Sequence, residues 1–330
     1  MIAPPARPVL LVTVDTEEEW DWSGPFPVAP FSTRNIDEIP AFQSLCDSLE
    51  VRPTYFVDHA VAERPEHASM LRESFEAGRC DVGAHLHPWS TPPYERSTDE
   101  RSSHAINLSP TVLRDKLGTL TEILQRAFGT HPFSYRAGRW GMNEDHLLAL
   151  DELGYAVDSS VRYRYHDRDF DYRRAPNRPY RPDPESLLRP SADGPMLEIP
   201  ATAGFTRHPF DALAALRDRL ARPPLSRLRL VGLLWRLGLL REVTITPEAS
   251  EREDLTRCID RCVERGDRVI NLFLHSSDLL PGCTPYVGTR AALERFLDRI
   301  VACVNHVRER HGGEVATVRE LGTRLAGRPA

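Results

Sequence analysis

The sequence predicts an α/β chain, a distorted (β/α) barrel of seven or eight parallel strands forming one domain over residues 1–330. Three observations point there. Eight short β-branched or aromatic runs recur along the chain, amphipathic helical stretches lie between them, and chemically useful polar residues gather where the runs end. Parallel neighbours need a crossover long enough to hold a helix, so this alternation implies parallel pairing. Eight units fit a barrel, and an open doubly wound sheet is the alternative. At 330 residues and 41% hydrophobic content, the chain has enough apolar surface for one large core.

The runs come in order. VLLVTVD (9–15), PTYFVD (53–58), CDVGAHLH (80–87) and FSYRAG (133–138) form the first half. Before the fourth lies SPTVLRDKLGTLTEILQRAFG, where Ser109 can cap a helix, Pro110 suits its first turn and Gly129 its end. MNEDHLLALDELGY repeats that pattern and stops at Gly154, ahead of YAVDSSV (155–161). MLEIPA (196–201), RVINLFLH (268–275) and EVATV (314–318) complete the set.

Two stretches break the alternation. Residues 162–190, beginning RYRYHDRDFDYRRAPNRPYRPDPES, are too polar for core and too rich in proline for a helix, so a long loop or lid near one barrel end is expected. Residues 209–242 read as a helical insertion containing SRLRLVGLLWRLGLLRE (226–242). That helix is too short and too charged to span a bilayer. Its arginines and leucines suit either packing on the barrel or peripheral contact with an anionic membrane surface.

A net charge of −6 and a pI near 6.1 give no general attraction to nucleic acid. The six cysteines lack framework spacing, and the opening MIAPPARPVLLVTVD carries no charged leader before a long apolar stretch, so reduced thiols and a cytoplasmic location are expected. Cys258 and Cys262 share a helix face and read as a metal pair or as core thiols. Oligomeric state is not legible.

Asp15 and Glu17 end the first run, His85 and His87 the third, Arg136 the fourth and His275 the seventh, while Asp158 lies in the fifth. In an eightfold parallel barrel those ends open on one face, the face that carries chemistry. Side chains two apart on a strand point the same way, about 7 Å apart along the backbone, so each of the first two ends presents a pair of like groups. Singly, a strand-end carboxylate or histidine is more often structural; together, the carboxylates, imidazoles and arginine point to a metal-dependent site.

In order, VTVDTEEEW, VGAHLHPW, SYRAGRWG, YAVDSSV and LFLHSS resemble the five motif regions of the NodB-homology polysaccharide deacetylases, carbohydrate esterase family 4, and most closely the WalW-type branch associated with lipopolysaccharide and cell-surface glycan clusters. The resemblance runs from residue 9 to about 281. It implies a distorted barrel that removes acetyl groups from N-acetylated sugars with one divalent metal, usually zinc. On that pattern Asp15 is the base and Glu17 a metal ligand with His85 and His87, or Asp15 is itself a ligand. Arg136 would orient Asp15 and keep it ionised, the backbone near Arg139 would face the oxyanion, and His275 would be the general acid. Asp158 would orient His275 or serve structure. Trp89 and Trp140 would stack on a sugar or fill core. The chain departs from the family at Thr16, where a second aspartate is usual, at Trp89, where the later histidine is usual, and at Gly138, in place of a proline. The implied substrate is an N-acetylated sugar or a lipid-linked or nucleotide-linked glycan precursor. A metal-dependent amidohydrolase on a small cytoplasmic amide and a non-catalytic glycan-binding homologue are the alternatives.

Overall fold

The computed structural model describes residues 2–22, 24–94 and 97–326. Its strands are β1 (Val9–Thr16), β2 (Thr54–Val57), β3 (Asp81–Leu86), β4 (Ser134–Ala137), β5 (Val157–Asp158), β6 (Pro182–Asp183), β7 (Ser186–Pro190), β8 (Leu197–Glu198), β9 (Ala203–Phe205), β10 (Glu242–Thr244), β11 (Val269–His275) and β12 (Glu314–Val315). All eight expected runs enter one parallel sheet, ordered β11-β1-β2-β3-β4-β5-β8, with β12 also pairing β1. The sheet curls into a distorted barrel without full closure. Among the described residues no ladder joins β8 to β11, and Asn271 stitches that seam. Its backbone N donates to Thr202 Oγ1 (2.9 Å), its carbonyl accepts from Thr202 N (3.2 Å), and its Nδ2 reaches Ser159 Oγ and Ile199 O (3.0 and 3.3 Å).

Strand alternation sorts β1 into two faces. Leu10, Val12 and Val14 face the surrounding helices in the main core, whereas Val9 and Leu11 join Val157, Leu197 and Val269 inside the barrel, closed below by Val318 and Leu321. Above that apolar floor lies a polar layer in which Thr13 Oγ1 donates to Asn271 Oδ1 (3.1 Å). The same parity carries Asp15 to the open end. Helix caps follow the sequence: Ser109 Oγ accepts from Val112 N at the head of Pro110–Phe128, and Gly129 ends that helix at φ +71°.

Two expectations need correction. Residues 162–190 are not all loop: β6 and β7 form an antiparallel hairpin there, and Phe170, Tyr172, Ala175 and Tyr180 are buried. The tyrosines enter the core because their hydroxyls find partners, Tyr172 Oη donating to Trp140 O (2.8 Å) and Tyr180 Oη to Leu187 O (3.0 Å). Nor is 226–242 one helix. The insertion comprises Phe210–Leu220, a 3₁₀ turn at Leu225–Leu228 and a short helix Leu230–Arg236, broken at Arg229 (φ +50°) and ended before Gly238 (φ +67°). Leu230, Val231 and Leu234 pack against the main core as expected, while Leu228, Leu233 and Leu237 stay more than half exposed. No described helix is long and apolar enough to cross a membrane. Cys258 and Cys262 are fully buried core thiols.

His146, in the helix Glu144–Glu152, is fully buried, with Nδ1 2.8 Å from Asn143 Oδ1 and no partner for Nε2 among the described residues. Burial pushes its pKa down to about 3. The unfolded imidazole titrates near about 6.5, so below that pH the unfolded state gains a proton the native state refuses, and stability falls as pH drops towards about 3. One proton is worth about 1.4 kcal/mol per pH unit. Between about pH 6.5 and about pH 5, guanidinium unfolding should therefore show the parent losing about 2 kcal/mol more than His146→Gln. Equal losses in the two proteins would show that His146 does not carry this pH dependence.

Candidate active site

Parallel register brings the strand ends together. Asp15 pairs with His275 across β1 and β11, and His85 with Arg136 across β3 and β4. Arg136, fully buried, reaches back to Asp15: Nη1 donates to Asp15 Oδ1 (2.7 Å), Nε to Ser159 O (3.1 Å) and Nη2 to Ser159 Oγ (3.0 Å). Its guanidinium rests on the Phe56 ring, 4.4 Å from the centroid. Phe56 can lie there because Gly83 has no side chain; a Cβ at that position would stand 2.7 Å from the ring.

Beside this pair, Glu17, His85 and His87 converge. Glu17 Oε2 lies 3.3 Å from the Nε2 of each histidine, and all three residues are buried. Burial alone would raise the Glu17 pKa, but the neighbouring imidazoles of His87, His275 and His85 bring it down to about 2. Burial lowers the His87 pKa, favouring the neutral ring that a metal needs. Three donor atoms within 4.8 Å of one another, two imidazole nitrogens and one carboxylate oxygen, fit a divalent cation. Behind His87, Nδ1 lies 3.1 Å from Glu18 Oε2, so an outer carboxylate fixes the ring and leaves Nε2 facing Glu17. Trp89 stacks on His87 at 4.1 Å and donates Nε1 to Glu18. Lys116 Nζ holds the following turn through Pro88 O, Thr91 O and Pro93 O, at 2.7–2.8 Å.

On the other side of Asp15, His275 Nε2 lies 3.8 Å from Asp15 Oδ2, while its Nδ1 is bonded to Glu248 Oε1 at 2.7 Å. Burial would lower its pKa, yet the carboxylates of Glu248, Glu17 and Asp15 raise it to about 10, which keeps the ring protonated at neutral pH. The site can therefore pair a carboxylate base, an imidazolium acid and a three-donor metal centre at one end of the barrel. Trp22 packs edge-on to His275 (4.9 Å) and to Tyr286 (5.5 Å), and Trp20 joins Trp22, Phe26 and Trp89.

The structure thus gathers Asp15, Glu17, His85, His87, Arg136 and His275. Asp158 stands apart: its Oδ1 accepts from Ser160 Oγ (2.5 Å), it sits opposite Glu198 in the register of β5 and β8, and Glu248 is the residue that orients His275. Trp89 and Trp140 are buried, at 4% and 7% exposure, and offer no open face to a ring. The backbone at Arg139 and Trp140 turns sharply through φ +60° and +66°, an uncommon conformation for such residues and one that clusters at functional sites. Arg139 itself bonds Ser103 Oγ (2.8 Å) and Glu100 (2.7 Å). Sequence reading missed Glu18, Trp20, Trp22 and Glu248. Glu18 was signalled by the acidic run after Asp15, but Glu248 lies in a connecting loop with no local mark.

No family model matches the chain, and no curated protein matches it. Solved structures do. A candidate polysaccharide deacetylase from Mycobacterium smegmatis superposes with a TM-score of 0.52 at 18% identity, over 99% of this chain and 96% of that one. A candidate glycoside hydrolase/deacetylase from Parabacteroides distasonis gives a TM-score of 0.60 at 12% identity, over 97% of this chain and 71% of that one. At such identities the likeness establishes a shared fold.

Gly138 makes the metal centre's geometry testable. A Cβ there would meet His87 Cδ2 at 2.1 Å and Leu86 O at 2.5 Å, so the imidazole must move. Gly138→Ala should weaken zinc binding roughly 10–100-fold in a chelator competition, the cost typical of disturbing a ligand's support. Gly118→Ala, with nothing within 4 Å of the added methyl, should bind zinc like the parent. Parent-like affinity in Gly138→Ala would remove His87 from the ligand set.

Proposed function

We propose that the chain is a divalent-metal-dependent hydrolase that removes an N-acetyl group from a sugar or glycan precursor, acting in cell-surface polysaccharide or lipopolysaccharide biosynthesis on the cytoplasmic side. The carrying observation is that Asp15, held by Arg136, lies 3.8 Å from His275, while Glu17, His85 and His87 bring three donor atoms together beside them. The shared fold with candidate deacetylases supports the reading. Glu17, His85 and His87 would hold the metal, zinc on the chemistry of two imidazoles and a carboxylate. When bound, it supplies Lewis acidity towards the acyl oxygen and acidifies water.

The chain's own groups do the rest. Arg136 engages Asp15 Oδ1 and leaves Oδ2 to take the proton of the attacking water. The backbone bend at Arg139 would aim an N–H at the developing oxyanion. Glu248 fixes Nδ1 of His275, so Nε2 delivers its proton to the departing nitrogen as the C–N bond breaks, yielding acetate and a free amine. Trp22 and Tyr286 would wall the sugar beside His275. The exposed leucines beside Arg227, Arg229 and Arg236 favour a lipid-linked precursor at an anionic membrane surface.

Elemental analysis should find about one equivalent of divalent metal in the parent and none in the His85→Ala, His87→Ala double variant. Asp15→Asn should keep the metal and lose acetate release from N-acetylated sugars by about 10²–10⁴-fold. Metal loss in Asp15→Asn would make Asp15 a ligand instead of the base. A metal-free parent, even after incubation with zinc, would favour the glycan-binding homologue; metal with turnover of small amides alone would favour the amidohydrolase.

Activity should also depend on Glu248 through pH. The carboxylates beside His275 raise its pKa above the usual imidazole range, and Glu248 is the largest of those influences. In Glu248→Gln the alkaline limb of kcat/KM should move to lower pH by about one unit or more. An unmoved limb would show that His275 is not the proton donor.

A further inference from the structure

Arg162 follows β5 and lines a cleft of about 460 Å³ between the Arg/Tyr-rich stretch and the helical insertion. Its cationic neighbours are committed. Arg164 pairs with Asp218 and Glu242, both at 2.7 Å, and Arg217 pairs with Glu242. Arg162 has no carboxylate within ion-pair distance among the described residues. Its Nη2 makes one long bond to Thr244 Oγ1 (3.4 Å), and its enclosed Nε finds no acceptor. A guanidinium removed from water without an anion costs free energy, and such a group persists where a ligand supplies the missing charge.

Aromatic rings hold Arg162 in place. Its Cζ lies 4.5 Å from the Tyr165 centroid, 5.3 Å from Phe273 and 5.7 Å from Trp140. Phe273 stands edge-on to His275 (6.1 Å), and Trp140 also carries Arg136 (5.3 Å). Arg162 therefore stands one ring away from the candidate acid and from the arginine that holds the candidate base. On its outer side the cleft is walled by Trp235, half-exposed, and Val231 of the insertion.

We propose that Arg162 anchors an anion subsite, and that the cleft takes a phosphate carried by the substrate while the attached N-acetylated sugar reaches His275 and Asp15. This rests on the deacetylase reading and deepens it, since the substrate becomes a phosphate-linked sugar. The planar guanidinium fork suits phosphate oxygens. The cleft exceeds what one carboxylate fills, leaving room for a diphosphate and part of its carrier. Nucleotide-linked and lipid-linked sugars share this chemistry.

Isothermal titration of the zinc-loaded protein tests it without turnover, using N-acetylglucosamine, its 1-phosphate, its UDP conjugate and its farnesyl-diphosphate conjugate. The phosphorylated sugars should bind at least about 10-fold tighter than the neutral sugar, and pyrophosphate should compete with them. Arg162→Gln should abolish that difference, Arg162→Lys should restore part of it, and zinc content should be unchanged in both. Tighter binding of the UDP or of the farnesyl conjugate identifies the carrier. Equal binding of neutral and phosphorylated sugars by the parent overturns the proposal, as does a preference that survives in Arg162→Gln. Because only binding is read, absent acetate release would count against the deacetylase reading and leave this result interpretable.

Discussion

The buried ion pair between Arg136 and Asp15 organises the rest of the site. A fully enclosed guanidinium carries a desolvation cost of several kcal/mol, and removing either partner of such a pair leaves an uncompensated charge. The cost is offset here by distributing the contacts of Arg136. One nitrogen meets Asp15, two meet the backbone and hydroxyl of Ser159, and the ring of Phe56 lies beneath. Each partner belongs to a different strand, so the pair also fixes the relative height of β1, β2, β4 and the segment after β5. One oxygen of Asp15 is thereby immobilised and the other left facing His275.

Strand parity then divides the acidic run that follows. Glu17 continues the inward face of β1 and meets imidazoles, which lower it to about 2; burial with the added charge of Glu17 raises Glu18 to about 7. Glu18 turns towards Asp58, itself raised by burial and by Glu18, and touches the far nitrogen of His87. Adjacent residues of one type thus take opposite roles because a strand alternates its faces. Nε2 of His87 faces one glutamate and Nδ1 another, so the ring is held from both nitrogens.

How much of this was legible follows from how local each signal is. The strands were readable because each is a contiguous run with its own turn residues, and their ends were readable as one face because parallel barrels align them. Arg136, His85 and His275 inherit their positions from that rule. Glu248 and Trp22 do not, since they sit in connections whose paths are set by packing elsewhere. Asp158 was misleading for a related reason: β5 is two residues long, and its side chain is buried opposite Glu198 of β8, a pairing that only register reveals. In 162–190, composition pointed outward because tyrosine and arginine are amphipathic, and only hydrogen-bond partners decide whether a tyrosine hydroxyl can be buried.

Two of the departures noted in the sequence, at Trp89 and Gly138, meet at one side chain, His87. His87 lies closer along the strand to His85 than the usual second histidine, so its ring must fold back over the end of β4 to face Glu17. The space it enters is the space a side chain at residue 138 would fill, and residue 138 is glycine. Trp89, standing where the later histidine is usual, closes over the opposite side of the same ring and bonds the glutamate behind it. Gly138 and Trp89 are thus both complementary to one imidazole, whose Nε2 lies 3.3 Å from a Glu17 oxygen. Shape complementarity at His87 therefore fixes which of its nitrogens faces Glu17 and which faces Glu18.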